Sequence, residues 1–139
     1  MKLATYRHRQ KISFGAVLDD QIIDLGLMYP DLISFLAHGN LSAAGGPALP
    51  ASEVQWLPPI PKPGKVVCVG LNYRSHIALL DEPVSEYPAI LTKPGTSLIG
   101  SGDAIVLPKV STQVDYEGEL AVVIGRRGKY ISEKDALAT

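Results

Sequence analysis

Four prolines fall within eight residues at Leu57-Pro58-Pro59-Ile60-Pro61-Lys62-Pro63-Gly64, and neither a helix nor a central strand can run through such a stretch. Each proline fixes φ and removes a backbone donor, so the segment is expected to be extended and semi-rigid. It separates a small α+β domain at residues 1–57 from a second domain at residues 65–139, with residues 58–64 as a proline-rich linker. Eleven prolines and thirteen glycines in all cut both parts into short elements, which favours strands and turns over long helices. The expected fold class is α+β, mostly β.

In the first part, residues 14–18 and 21–25 are β-prone runs, and Asp19-Asp20 between them suits a tight turn, so a hairpin is expected. Leu32, Phe35 and Leu36 follow at helical spacing, with Pro30 in the first turn and Gly39-Asn40 as a stop. Residues 39–52, rich in Gly, Ala, Ser and Pro, read as a loop. In the second part, strands are expected at residues 66–69, 89–91, 105–107 and 120–124, with Gly100-Ser101-Gly102-Asp103 as a turn.

Composition excludes several classes of function. At 46% hydrophobic residues the chain is not intrinsically disordered. Thirteen Lys and Arg against fourteen Asp and Glu give a net charge of -1, so neither nucleic acid nor anionic lipid is expected as a partner. Cys68, the single cysteine, cannot form an internal disulfide, and the charged N-terminus does not read as a signal peptide. A reducing compartment follows, most simply the cytoplasm. No apolar run approaches the roughly 20 residues of a transmembrane helix, so no membrane span is expected.

The chemistry concentrates in VDYEGELAVVIG, residues 114–125. In a strand, alternate side chains share a face, which sets Asp115, Glu117 and Glu119 together and leads into apolar Ala121 and Val123. Like charges entering buried structure repel and lose hydration, a cost that a bound cation removes. Carboxylates without Cys or His nearby in sequence suit a hard cation such as Mg²⁺ or Mn²⁺. A solvated acidic edge strand gives the same pattern. His76, in the loop GLNYRSH that follows a strand end, can move a proton near neutral pH or be plain surface. Lys93, in Thr-Lys-Pro, can meet a substrate carboxylate or be an ordinary surface lysine. Cys68 lies inside an apolar run and reads as a packed core thiol rather than a nucleophile. His8 and His38 have no partner identifiable in the sequence.

Three stretches together, KVVCVGLNYRSH, ILTKPGTSLIGSGDAIVLP and VDYEGELAVVIGRRGKYISEKDAL, resemble the fumarylacetoacetate hydrolase family, in its branch of acylpyruvate hydrolases and 2-hydroxyhepta-2,4-diene-1,7-dioate isomerases. The opening MKLATYRH and the hairpin resemble the small N-terminal domain of bacterial members. The resemblance implies a mixed-sheet β-roll, a Mg²⁺ or Mn²⁺ ion, and 2-oxo or enolised dicarboxylic acids as substrates. It implies that Glu117 and Glu119 are the Glu-x-Glu metal pair, that His76 activates water or shuttles a proton from a lid segment, and that Lys93 lies near the substrate carboxylate. Two departures accompany it. Leu79 stands where many members carry a glutamate that orients the histidine, with Asp81 and Glu82 nearby as possible substitutes. The family's third metal ligand, an aspartate, would lie beyond Thr139, so the sequence resembles roughly the first half of a member.

The leading reading is therefore the N-terminal part of a metal-dependent enzyme that hydrolyses, isomerises or decarboxylates a 2-oxo acid. The alternative is a non-catalytic remnant or oligomerising module with the same fold, and a plain structural β domain ranks last because it leaves the three acids unexplained. Ser132 and Asp135 resemble a capping box, so a helix is expected to begin near Glu133. Residues 120–124, apolar on both faces, call for a covering layer; this surface should favour association, and a homodimer is expected of the complete protein.

Overall fold

The computed structural model describes residues 1–40, 45–80 and 83–138. Strands β1 (Lys2–His8), β2 (Lys11–Leu18), β3 (Gln21–Asp24), β4 (Ala48–Pro50) and β5 (Gln55–Leu57) form one antiparallel sheet in the order β4-β3-β2-β1-β5. Strands β6 (Val66–Gly70) and β7 (Ala89–Lys93) form a second, two-stranded antiparallel sheet. Helices α1 (Leu32–His38) and α2 (Arg74–Leu80) complete the α+β, mostly β architecture.

Two-residue loops join β1 to β2 and β2 to β3, as the pairings of His8 with Lys11 and of Leu18 with Gln21 require. Their first residues, Arg9 and Asp19, have φ of 55° and 51°, the left-handed backbone that matches the twist of a tight hairpin. The hairpin expected around Asp19-Asp20 is thus present. Helix α1 is also present, but Pro30 precedes it: Asp31 is the N-cap, accepting the Ser34 N–H at 2.7 Å, and Gly39 closes the helix by donating to the Phe35 carbonyl.

Opposed residues of an antiparallel pair share a face. Phe14 on β2 faces α1 and packs with Leu25, Leu32 and Phe35 in the buried core, against which Leu3, Ile23, Tyr29 and Ile60 close. Ile60 comes from the proline-rich segment, which the Thr5 hydroxyl also ties down by donating to the Pro59 carbonyl at 2.6 Å. On the opposite face lie Tyr6, Ser13 and Asp24, all buried, with the Ser13 hydroxyl donating to Asp24 at 2.5 Å. Burial pushes the Tyr6 hydroxyl up to about 12; Ser13 and Asp24 perturb it, yet neither reaches hydrogen-bonding geometry with it.

Several sequence expectations are corrected. The loop expected over residues 39–52 holds β4 at its end, where an edge strand needs only one partner and gets it from β3. Residues 105–107 and 120–124, expected as strands, are not strands, and Leu120 is 81% exposed. A β-ladder exists only between paired backbones, and among the described residues nothing pairs with either run. The apolar continuation through Ala121 and Val123 is accordingly exposed rather than buried. The helix expected near Glu133 forms there as a 3₁₀ segment, Glu133–Ala138, with the Ser132 hydroxyl on the Asp135 carboxylate at 2.5 Å. Cys68 is half-buried in β6 opposite Leu91, and His8 has a partner after all, Glu53 at 3.6 Å.

Candidate functional site

The site begins where β6 ends. Gly70 is followed by Leu71 at a φ of 52°, a left-handed conformation that costs a branched residue about 1–2 kcal/mol. This corner turns the chain into α2, whose first turn is set by the Tyr73 carbonyl, accepting from the His76 N–H at 2.9 Å and the Ile77 N–H at 3.1 Å. Ile77 is buried and anchors α2, while the neighbouring His76 is exposed. His76 was expected in a loop; it lies in a helix because the residues after Tyr73 have no glycine or proline to stop one. Leu79 is 84% exposed on the same helix, so its side chain contributes little to packing. Asp81 and Glu82, the possible substitutes for the missing glutamate, lie outside the described residues.

Glu117 and Glu119 lie on the exposed stretch that follows Val114. Asp115 does not gather with them: its carboxylate accepts the adjacent Tyr116 N–H at 2.8 Å, and among the described residues no three Asp, Glu, His or Cys side chains come together as a metal site. The alternation that sets the three acids on one face presupposes a regular strand, which is missing here. Immediately after Glu119, the Leu120 N–H donates to the Tyr73 hydroxyl at 3.0 Å. That bond brings the Glu-x-Glu stretch to the start of the helix that carries His76. Tyr73 is the residue missed from the sequence; its place three residues before a candidate histidine was the available signal.

Lys93 ends β7 and pairs with Val66, whereas α2 leads away from the Gly70–Ala89 end of the same sheet. Four residue steps separate the two ends, about 13 Å of strand. The structure therefore ties the backbone after Glu119 to Tyr73, at the start of the helix that carries His76, and leaves Lys93 at the far end of the sheet. Two concavities, of about 450 and 260 Å³, lie against the N-terminal sheet, and none of the four candidate residues lines either of them. Among the described residues no helix is long and apolar enough to cross a membrane.

Two carboxylates offer hard oxygen donors, which fits Mg²⁺ or Mn²⁺ and leaves most of a six-coordinate shell to water or substrate. Such a cation would supply charge stabilisation, and an imidazole is a group able to carry a proton.

The chain is 43% identical over 129 residues to a bovine protein, Oxaloacetate tautomerase FAHD2A, mitochondrial, covering 84% of this chain and 41% of that one. It is 50% identical over 96 residues to the human protein of the same name, covering 69% of this chain and 31% of that one. An uncharacterized protein of Archaeoglobus fulgidus is 45% identical over 103 residues, covering 74% of this chain and 41% of its own length. The chain thus spans about 41% of the length of the bovine relative. Residues 65–139 match the fumarylacetoacetate (FAA) hydrolase C-terminal family. That match takes in more than half of the sequence, together with His76, Lys93, Glu117 and Glu119, and the chain belongs to the fumarylacetoacetate hydrolase family.

Proposed function

We propose that this chain forms the N-terminal, cation-holding part of an enzyme acting on 2-oxo or enolised dicarboxylic acids, and that its reaction is keto–enol isomerisation. The observation that supports the reading is the hydrogen bond between the Leu120 N–H and the Tyr73 hydroxyl, which ties the backbone next to Glu119 to the residue that precedes the His76 helix. Glu117 and Glu119 would hold Mg²⁺ or Mn²⁺, which when bound stabilises negative charge developing on the substrate's 2-oxygen. His76 moves the proton: the C3–H bond breaks, an O–H bond forms on the 2-oxygen, and no water is consumed. Lys93 would receive the distal carboxylate of the substrate.

Leu79 favours isomerisation over hydrolysis. Hydrolysis needs a base held ready to deprotonate water, and a leucine cannot orient the imidazole as a carboxylate does. Two relatives named oxaloacetate tautomerase support the same branch and point to oxaloacetate as the first substrate to try. Their names also place them in mitochondria, and a reducing compartment, mitochondrial or cytoplasmic, is part of this proposal, as is a homodimer for the complete protein.

The test is conversion of enol-oxaloacetate to its keto form, followed by ultraviolet absorbance with Mg²⁺ or Mn²⁺ present, in the wild type and in His76→Ala and Glu119→Gln. Metal-dependent turnover above the metal–buffer rate, lost in both variants, is the expected result. Equal rates in all three proteins would reject the reading in favour of a non-catalytic module, and cleavage of an acylpyruvate at a higher rate would transfer the activity to the hydrolase branch.

A further inference from the structure

We infer that Tyr73 is a positioning residue whose hydroxyl fixes the spacing between His76 and the Glu117–Glu119 pair. The inference rests on the cation reading of that pair and adds to it a residue with no ionisable role in the reaction.

Tyr73 acts on both sides at once. Its carbonyl accepts the N–H groups of His76 and Ile77 and so starts α2, while its hydroxyl accepts the N–H of Leu120, 47 residues further along the chain. The first connection sets where His76 leaves the helix, and the second sets where the backbone stands one residue beyond Glu119. A tyrosine ring has two side-chain torsions and no internal flexibility, so it works as a spacer of constant length. Leu120 depends on it, because among the described residues no strand pairs with the 114–125 stretch and its N–H has no ladder acceptor.

The corner before Tyr73 supports the same reading. Leu71 is held in left-handed backbone where glycine or asparagine would be at ease, and such a conformation persists only when its surroundings impose it. Ile77, buried in the first turn of α2, donates its N–H to the Tyr73 carbonyl, and the Tyr73 hydroxyl holds Leu120, so Tyr73 is fixed at both ends next to the corner. Removing the hydroxyl should let the carboxylate segment move away from α2 without unfolding either.

The experiment compares the wild-type chain with Tyr73→Phe, which keeps the ring and deletes only the acceptor. Amide exchange followed by nuclear magnetic resonance should show the Leu120 N–H exchanging about five-fold faster in the variant, the loss expected for one neutral hydrogen bond. Amides of β1, β2 and β3 should be unchanged and report that the chain is folded. In the same samples, Mn²⁺ bound at Glu117 and Glu119 should broaden the ring signals of His76 in the wild type, and this broadening should fall several-fold in Tyr73→Phe at equal Mn²⁺ occupancy. Unchanged exchange at Leu120 would overturn the inference whatever the metal does. Faster exchange with unchanged broadening would overturn the positioning role. If Mn²⁺ leaves the signals of Glu117 and Glu119 untouched in the wild type, the cation reading fails instead, and the Tyr73 tie is then judged by Leu120 exchange alone.

Discussion

Replacing Glu117 by glutamine tests the carboxylate pair directly, and the exposure of the segment sets the size of the effect. Glu117 and Glu119 are exposed on a stretch where Leu120 and Val122 are 81% and 74% exposed, so the dielectric around them is close to that of water. A divalent cation and one carboxylate about 4 Å apart then attract by about 2 kcal/mol, twice the figure for two unit charges. That corresponds to roughly a thirty-fold change in affinity, reduced toward ten-fold by salt near 0.1 M. Glutamine keeps the shape and an oxygen donor while deleting the charge, so the loss reports electrostatics rather than packing. Titration of Mn²⁺ followed by electron paramagnetic resonance, which counts the free ion, gives the dissociation constant of each protein. Glu133→Gln, at the start of the C-terminal 3₁₀ segment, controls for general loss of negative charge. A change of less than about two-fold in Glu117→Gln, or an equal loss in Glu133→Gln, would refute the argument that the pair acts as one ligand set.

Three further outcomes are expected. Phe35→Ala removes a ring packed 5.8 Å from Phe14 and 5.2 Å from Tyr29, and should cost the N-terminal sheet about 3–5 kcal/mol in urea unfolding followed by Trp56 fluorescence. Asp31 has its carboxyl held below the usual range by the Ser34 N–H, so its contribution to α1 is complete above the ordinary carboxylate pKa and disappears as pH falls through the lowered one. The stability difference between the wild type and Asp31→Asn should therefore shrink on acidification, and a difference constant from neutral pH to strong acid would contradict the cap. Gly100→Ala would set a Cβ 1.9 Å from the Trp56 carbonyl, so the 100–103 turn must lift from β5 and break the 3.3 Å contact between Gln55 and Asp103; circular dichroism in the aromatic region should register the change at Trp56.

What could be read in the sequence was whatever local chemistry decides. The hairpin between β2 and β3 follows from alternating side chains around Asp19-Asp20, and α1 from the spacing of Leu32 and Phe35, because turns and short helices are fixed by near neighbours. Strand β5 has three residues and no pattern of its own; it exists because the edge of β1 is open to it at Thr5, Tyr6 and Arg7. The same dependence worked in the other direction at residues 120–124, where an apolar run typical of a buried strand has no partner among the described residues. In the candidate site, His76, Lys93, Glu117 and Glu119 were nameable from residue type, spacing and family resemblance. The link that joins two of those elements was not, since it depends on a tyrosine hydroxyl meeting a backbone N–H 47 residues away.

The way the N-terminal sheet closes has a consequence for the order of events during synthesis. All of its strands are present once Leu57 has been made, and Ile60 and Pro59 then cap the core and tie down Thr5. Its two hairpins have two-residue loops, and hairpins of this kind form in roughly 1–10 μs. A ribosome adding roughly 5–20 residues per second takes about 3–12 s to pass from Ile60 to Glu119. The sheet can therefore settle as soon as it emerges, well before the carboxylate pair has been polymerised, and the later segment meets a finished surface. A folded β1–β5 sheet on stalled nascent chains of about 100 residues, captured by protease resistance, is the kinetic signature of that order.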